Sequence, residues 1–84
     1  MNYTLRILTR AERELGDLPT AAYEKLKNKI YALTENPRPP GCKKLKDHPG
    51  WRIRIGSYRV IYEIDDAARV VTVVHVGHRK EVYR

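Results

Sequence analysis

The chain has 84 residues, of which 42% are hydrophobic and 32% charged, and its formal net charge is +7. That length excludes more than one domain, the composition excludes a disordered tail, and the charge favours a polyanionic partner over an acidity-neutral one. A domain this small buries only about 60% of the surface its unfolded chain exposes, so a bound partner adds stability by mass action.

The excess charge is uneven. Residues 1–42 hold seven Lys/Arg against five Asp/Glu, whereas residues 43–84 hold ten against five. A single cysteine, Cys42, excludes an internal disulfide and a cysteine-based metal cluster, and it reads as an incidental thiol. Met1–Arg6 contains no leader-like apolar run, and no stretch approaches the ~20 apolar residues that span a bilayer. A soluble, cytoplasmic single domain over residues 1–84, with no membrane partner, is therefore expected.

Tyr3–Leu8 alternates and predicts a strand. Thr9 to Glu12 matches a capping box, with Thr9 as the N-cap of a short helix carrying Ala11, Leu15 and Leu18 and ending near Gly16. Pro19 and Thr20 open a longer helix with the stripe Ala22, Leu26, Ile30 and Leu33; Lys25, Lys27 and Lys29 lie off that stripe and read as solvated. Residues 36–50 contain four prolines and two glycines, which predict a loop; Lys43, Lys44 and Lys46 lie in it, either solvated or in non-specific contact with phosphates.

A meander follows. Trp51, Ile53 and Ile55 alternate with Arg52 and Arg54; Gly56-Ser57 is a hairpin turn; Tyr58, Val60, Tyr62 and Ile64 alternate with Arg59, Ile61 and Glu63. After a turn at 65–68, Arg69–Val76 is apolar on both faces and predicts a central strand. The expected class is α+β, with two N-terminal helices packed on one face of a small, mostly antiparallel four-stranded sheet.

Alternation puts Arg52, Arg54 and Arg59 on the side away from the core, and Arg79, after the last strand, can join them. Guanidinium is planar, permanently charged and matched to phosphate oxygens. From alternation alone two readings fit: an ordinary solvated sheet face, or a phosphate-binding one. Trp51 and Tyr83 offer rings on which a base can stack. His48, His75 and His78 do not stand at a metal-ligating spacing, so neither a metal nor another cofactor is expected. His75 lies in an apolar strand and reads as structural, His48 as a turn residue, and His78 as a possible acid or base near neutral pH.

The segments WRIRIGSYRVIYEIDD (51–66) and VVHVGHRKEVY (73–83), with LTENPR (33–38) and Lys44-Leu45, resemble the RelE branch of the RelE/ParE toxin superfamily over essentially the whole chain. The resemblance implies a RelE-like fold and the toxin of a type II toxin–antitoxin pair. It implies a metal-independent endoribonuclease that cuts mRNA in the ribosomal A site by 2′-hydroxyl attack, leaving a 2′,3′-cyclic phosphate. It implies as partners a RelB-like antitoxin, mRNA and the ribosome with its 16S RNA. The family's site residues fall at Arg52, Arg54, Arg59, Arg79 and Tyr83. The best-known member carries lysines at the positions of Arg52 and Arg54, and an arginine does not give up its proton. The general base is thus open between His78, Tyr83, a ribosomal group and an unusual guanidinium. Two other functions fit the same scaffold: a ParE-like poison of DNA gyrase, and a non-catalytic basic RNA-binding module.

Overall fold

The structure, a computed structural model, describes residues 2–78. In chain order it comprises β1 (Thr4–Ile7), α1 (Thr9–Gly16), α2 (Thr20–Ala32), β2 (Lys43–Lys44), β3 (Trp51–Ile55), β4 (Tyr58–Asp65) and β5 (Val70–His78). The strands make one sheet in the order β1-β5-β4-β3-β2. β1 lies parallel to β5 and every other neighbouring pair is antiparallel. The α+β class and the two-helix layer are as the sequence implies, but the four-stranded sheet is corrected to a five-stranded mixed one.

The added strand is β2. Lys43 pairs with Arg52 and Lys44 with Trp51, and the Leu45 amide donates to the Gly50 carbonyl at 3.0 Å to close the turn. Two lysines inside a proline-rich stretch present no period, so nothing in their pattern announces a strand. The parallel contact of β1 with β5 requires a long connection, which both helices and the strands β2 to β4 supply.

The core lies between the helices and one sheet face. Ala11 and Leu15 of α1, and Leu26, Ile30 and Leu33 from α2 and its end, pack against Ile53, Ile55, Val60, Tyr62, Val71, Val73 and Val76. Leu26, Ile30 and Leu33 are spaced i, i+4, i+7, which places them on one side of the helix. Truncating a fully buried Leu such as Leu26 costs roughly 2–5 kcal/mol. Tyr62 is fully buried and its hydroxyl donates to the Pro37 carbonyl at 2.7 Å, which ties the proline-rich loop to the sheet. Burial pushes that hydroxyl's pKa up, so it stays a donor.

Two local expectations change. The N-cap of α1 is Leu8, without a side-chain cap, rather than Thr9. The Leu8 amide donates to Val73 O at 3.0 Å while its carbonyl accepts from Glu12 N at 2.9 Å, so sheet pairing runs directly into the helix. In addition, β5 extends through Gly77 and His78, which pair with Arg59 and Tyr58 instead of following the strand. Gly56 begins the β3–β4 turn at φ +62, the left-handed conformation that glycine takes without steric cost. No helix among the described residues is long and apolar enough to cross a membrane.

Candidate functional site

The sheet face away from the helices is organised in rows set by strand register. One row reads Lys43, Arg52, Ile61, His75, and the next reads Arg54, Arg59, Gly77. Arg54 and Arg59 are direct cross-strand partners, with Cβ atoms roughly 5 Å apart for such pairs, and like charges in that position repel. Arg52 and Arg59 are 6% and 9% exposed, whereas Arg54 is open to solvent. Arg52 and Arg54 form no ion pair or hydrogen bond among the described residues. A restricted guanidinium loses less freedom on gripping an anion than a surface arginine does. An anion between these strands would also relieve the repulsion.

The end of β5 is shaped by a bulge. Tyr62 pairs with Val73 and Ile61 with His75, which leaves Val74 without a partner. The buried residues of β5 are accordingly Val71, Val73 and Val76 rather than a strict alternation. The bulge brings His75 into the row of Ile61 and Arg52. β1 ends at Ile7, opposite Val73, so Glu14 of α1 serves the β5 edge beyond it: Oε1 accepts from the Val76 amide at 2.9 Å, and Oε2 lies 2.6 Å from His75 Nδ1. Nδ1 thus lies against the carboxylate at ion-pair distance without the alignment of a hydrogen bond, while Arg10 Nη2 approaches Nε2 at 3.5 Å.

The other sequence-predicted residues divide. His78 pairs with Tyr58, and their rings meet edge to face at 5.9 Å. That puts His78 on the side of Tyr58, opposite the arginines. Trp51 pairs with Tyr62 and packs against the core, with Arg38 over its ring at 5.0 Å. It too is not on the arginine side. Lys44 Nζ donates to the carbonyl of His48 at 2.9 Å, and His48 Nδ1 accepts from the Gly50 amide at 2.8 Å, so both organise the loop; Lys43 and Lys46 are exposed. Arg79 and Tyr83 lie outside the described residues. The sequence reads His75 as structural; its place in the arginine row depends on one unpaired residue, and its only signal is a polar side chain inside an apolar strand.

At the far end of the sheet Arg38 grips Asp66 with both terminal nitrogens, at 3.2 and 2.9 Å, and Tyr3 donates its hydroxyl to the same carboxylate at 2.7 Å. Arg38 foremost, then Tyr3, holds the Asp66 carboxyl down at about 2. The same hydrogen bond raises the pKa of Tyr3.

The geometry defines a two-layer α+β domain with a cationic open face and an α1–β5 seam, and comparison with known proteins supplies its family. Residues 5–83 match the family described as the ParE toxin of type II toxin–antitoxin systems, parDE, and the chain belongs to that family. It is 33% identical to Toxin RelG of Mycobacterium tuberculosis, over 100% of this chain and 99% of that protein. It is 34% identical to the mRNA interferase toxin RelE of Escherichia coli, over 99% of this chain and 92% of that protein. Among solved structures it resembles a chain of the RelBE2 toxin–antitoxin complex of M. tuberculosis, with a TM-score of 0.83 and 30% identity, covering 94% of this chain and 100% of that one. The likeness thus runs to the RelE branch of the family.

Proposed function

We propose that this domain is a RelE-type toxin that cleaves mRNA in the ribosomal A site and is held silent by a RelB-like antitoxin. The observation that carries the reading is the clustering of Arg52, Arg54 and Arg59 in adjacent rows of one open sheet face, with no carboxylate among the described residues paired to Arg52 or Arg54. Such a cluster suits the extra negative charge of a pentavalent phosphorus. The relatives named for mRNA cleavage and for toxin–antitoxin complexes support it.

In the proposed reaction the 2′-oxygen attacks the neighbouring phosphorus while its proton passes to a base. The P–O5′ bond then breaks, and the 5′-oxygen takes a proton from solvent. The products are a 2′,3′-cyclic phosphate and a 5′-hydroxyl. Arg54 and Arg59 hold the non-bridging oxygens and Arg52 the adjacent phosphate. Arginine is a poor base, and register favours His75, steered by Glu14, over His78 for that role. Arg79 as a further phosphate contact and Tyr83 as a stacking ring complete the reading. No step is assigned to a metal.

Expression without antitoxin, followed by mapping of mRNA 5′ ends, tests this. Cuts within translated codons support it. Intact mRNA with DNA damage identifies a gyrase poison, and intact mRNA and DNA with RNA still bound identifies a non-catalytic module; either outcome overturns the nuclease reading.

A further inference from the structure

A notch lies at the outer edge of β3. β2 covers only Trp51 and Arg52, so among the described residues the outer edge from Ile53 to Ile55 has no strand neighbour. Beside it is a cavity of about 360 Å³ lined by Lys29, Pro40, Gly41, Lys43, Arg52, Ile53 and Arg54. Four of these seven residues are cations from three different elements, and none is acidic. None of the four cations has a hydrogen-bond or ion-pair partner among the described residues. Cations gathered in one concavity repel one another, and a bound anion offsets that repulsion.

The notch continues onto α2. Lys25 stands one turn before Lys29, on the same side of the helix, and like charges at i, i+4 disfavour a helix slightly. Lys25 Nζ lies 3.7 Å from the position a Cβ would take on Gly56 in the β3–β4 turn. Lys25 and Lys29 therefore face the free edge of the hairpin. Lys27, by contrast, sits over the Tyr23 ring at 5.8 Å. The basic surface thus wraps from Arg52 and Arg54 on the open face, around the β3 edge, to the helical layer.

We propose that this notch holds a backbone phosphate of RNA, and that a strand bound on the arginine face passes over the β3 edge toward Lys29 and Lys25. The proposal rests on the reading of the open face as an RNA site and extends its footprint to α2. The shared chemistry is a phosphodiester, supplied either by mRNA or by ribosomal RNA.

The test measures binding by the full chain against salt concentration, with two probes: a single-stranded oligonucleotide made uncleavable by 2′-O-methyl groups, and vacant ribosomes. Each lost phosphate contact lowers the log–log salt slope by about 0.7 on a single strand, which is about fivefold in affinity at 0.1 M salt. Lys29→Ala is expected to show that loss and Lys29→Glu a larger one, while Lys27→Ala, with its ammonium on the Tyr23 ring, keeps the wild-type slope. Ala is the better helix former, so a thermal melt of Lys29→Ala should match the parent.

Loss on the oligonucleotide assigns the notch to the mRNA strand, and loss on vacant ribosomes alone assigns it to ribosomal RNA. Unchanged slopes on both probes overturn the proposal. If the wild type cuts mRNA while Lys29→Ala and Lys29→Glu keep both slopes, the notch fails and the nuclease reading stands. If the wild type cuts nothing but its RNA binding depends on Lys29, the nuclease reading fails and the notch stands.

Discussion

The two ends of the open sheet face share strands and alternation but differ in electrostatic balance. Toward the β4–β5 turn, Arg6, Thr72 and Glu63 occupy one row, and a cavity of about 500 Å³ is lined by Arg6, Glu63, Asp65 and Asp66 among others. There positive and negative groups are mixed, and Asp66 already has Arg38. Toward the β3–β4 hairpin, Arg54 faces Arg59, and Lys43 and Arg52 lie in the next row with no acidic residue between them. The first end is satisfied from within. In the rows of the second end, the described residues place cations side by side without a carboxylate, a contrast with the first end that suits binding of an anion.

The two ends should differ most at the arginines. Arg59→Ala should lower the single-turnover rate of mRNA cleavage on programmed ribosomes by about 100-fold or more, the size expected on removing a preorganised charge donor. Arg6→Ala, from the balanced end, should leave that rate unchanged. Equal losses in both variants would erase the distinction between the ends.

A smaller effect is expected beneath the face, where the two ends share one strand. Tyr62→Phe removes the hydroxyl that anchors the loop at Pro37, and should cost about 1 kcal/mol in urea unfolding with the slope unchanged. An unaltered midpoint would show that the loop is held without it.

The smallest effect concerns the balanced end alone. The Asp66 carboxyl sits at about 2 when folded, below the ~3.9 of an unfolded aspartate. A depressed carboxyl stabilises the fold above its unfolded pKa, and that contribution fades as pH falls through about 2. Asp66→Asn should therefore be slightly less stable than the parent at pH 7, with the two melting curves converging near pH 2. Exposure and salt screening keep the difference small. A difference that persists in strong acid would assign it to something other than the carboxylate charge.

Much of this was legible in the residues. The stripe Leu26, Ile30, Leu33 announced α2, and the alternation of 51–55 and 58–64 announced both the hairpin and the side its arginines occupy, because these signals repeat over several turns or residue pairs. What lacked repetition stayed hidden. β2 is two lysines long. His75 and His78 look interchangeable in sequence, yet a single unpaired residue, Val74, sends His75 to the arginine side and leaves His78 beside Tyr58. Lys29 reads as one more solvated helical lysine, and only its place in the notch beside Ile53 and Arg54 sets it apart.

The sequence by itself determined the helix–sheet class, the hairpin register and the excess of fixed positive charge, since each follows from the period of a local pattern or from composition. Only the tertiary structure decided which strand borders which, where Glu14 meets His75, and which lysine of α2 joins the arginines. Those outcomes depend on contacts between segments far apart in the chain, and a local period carries no information about them.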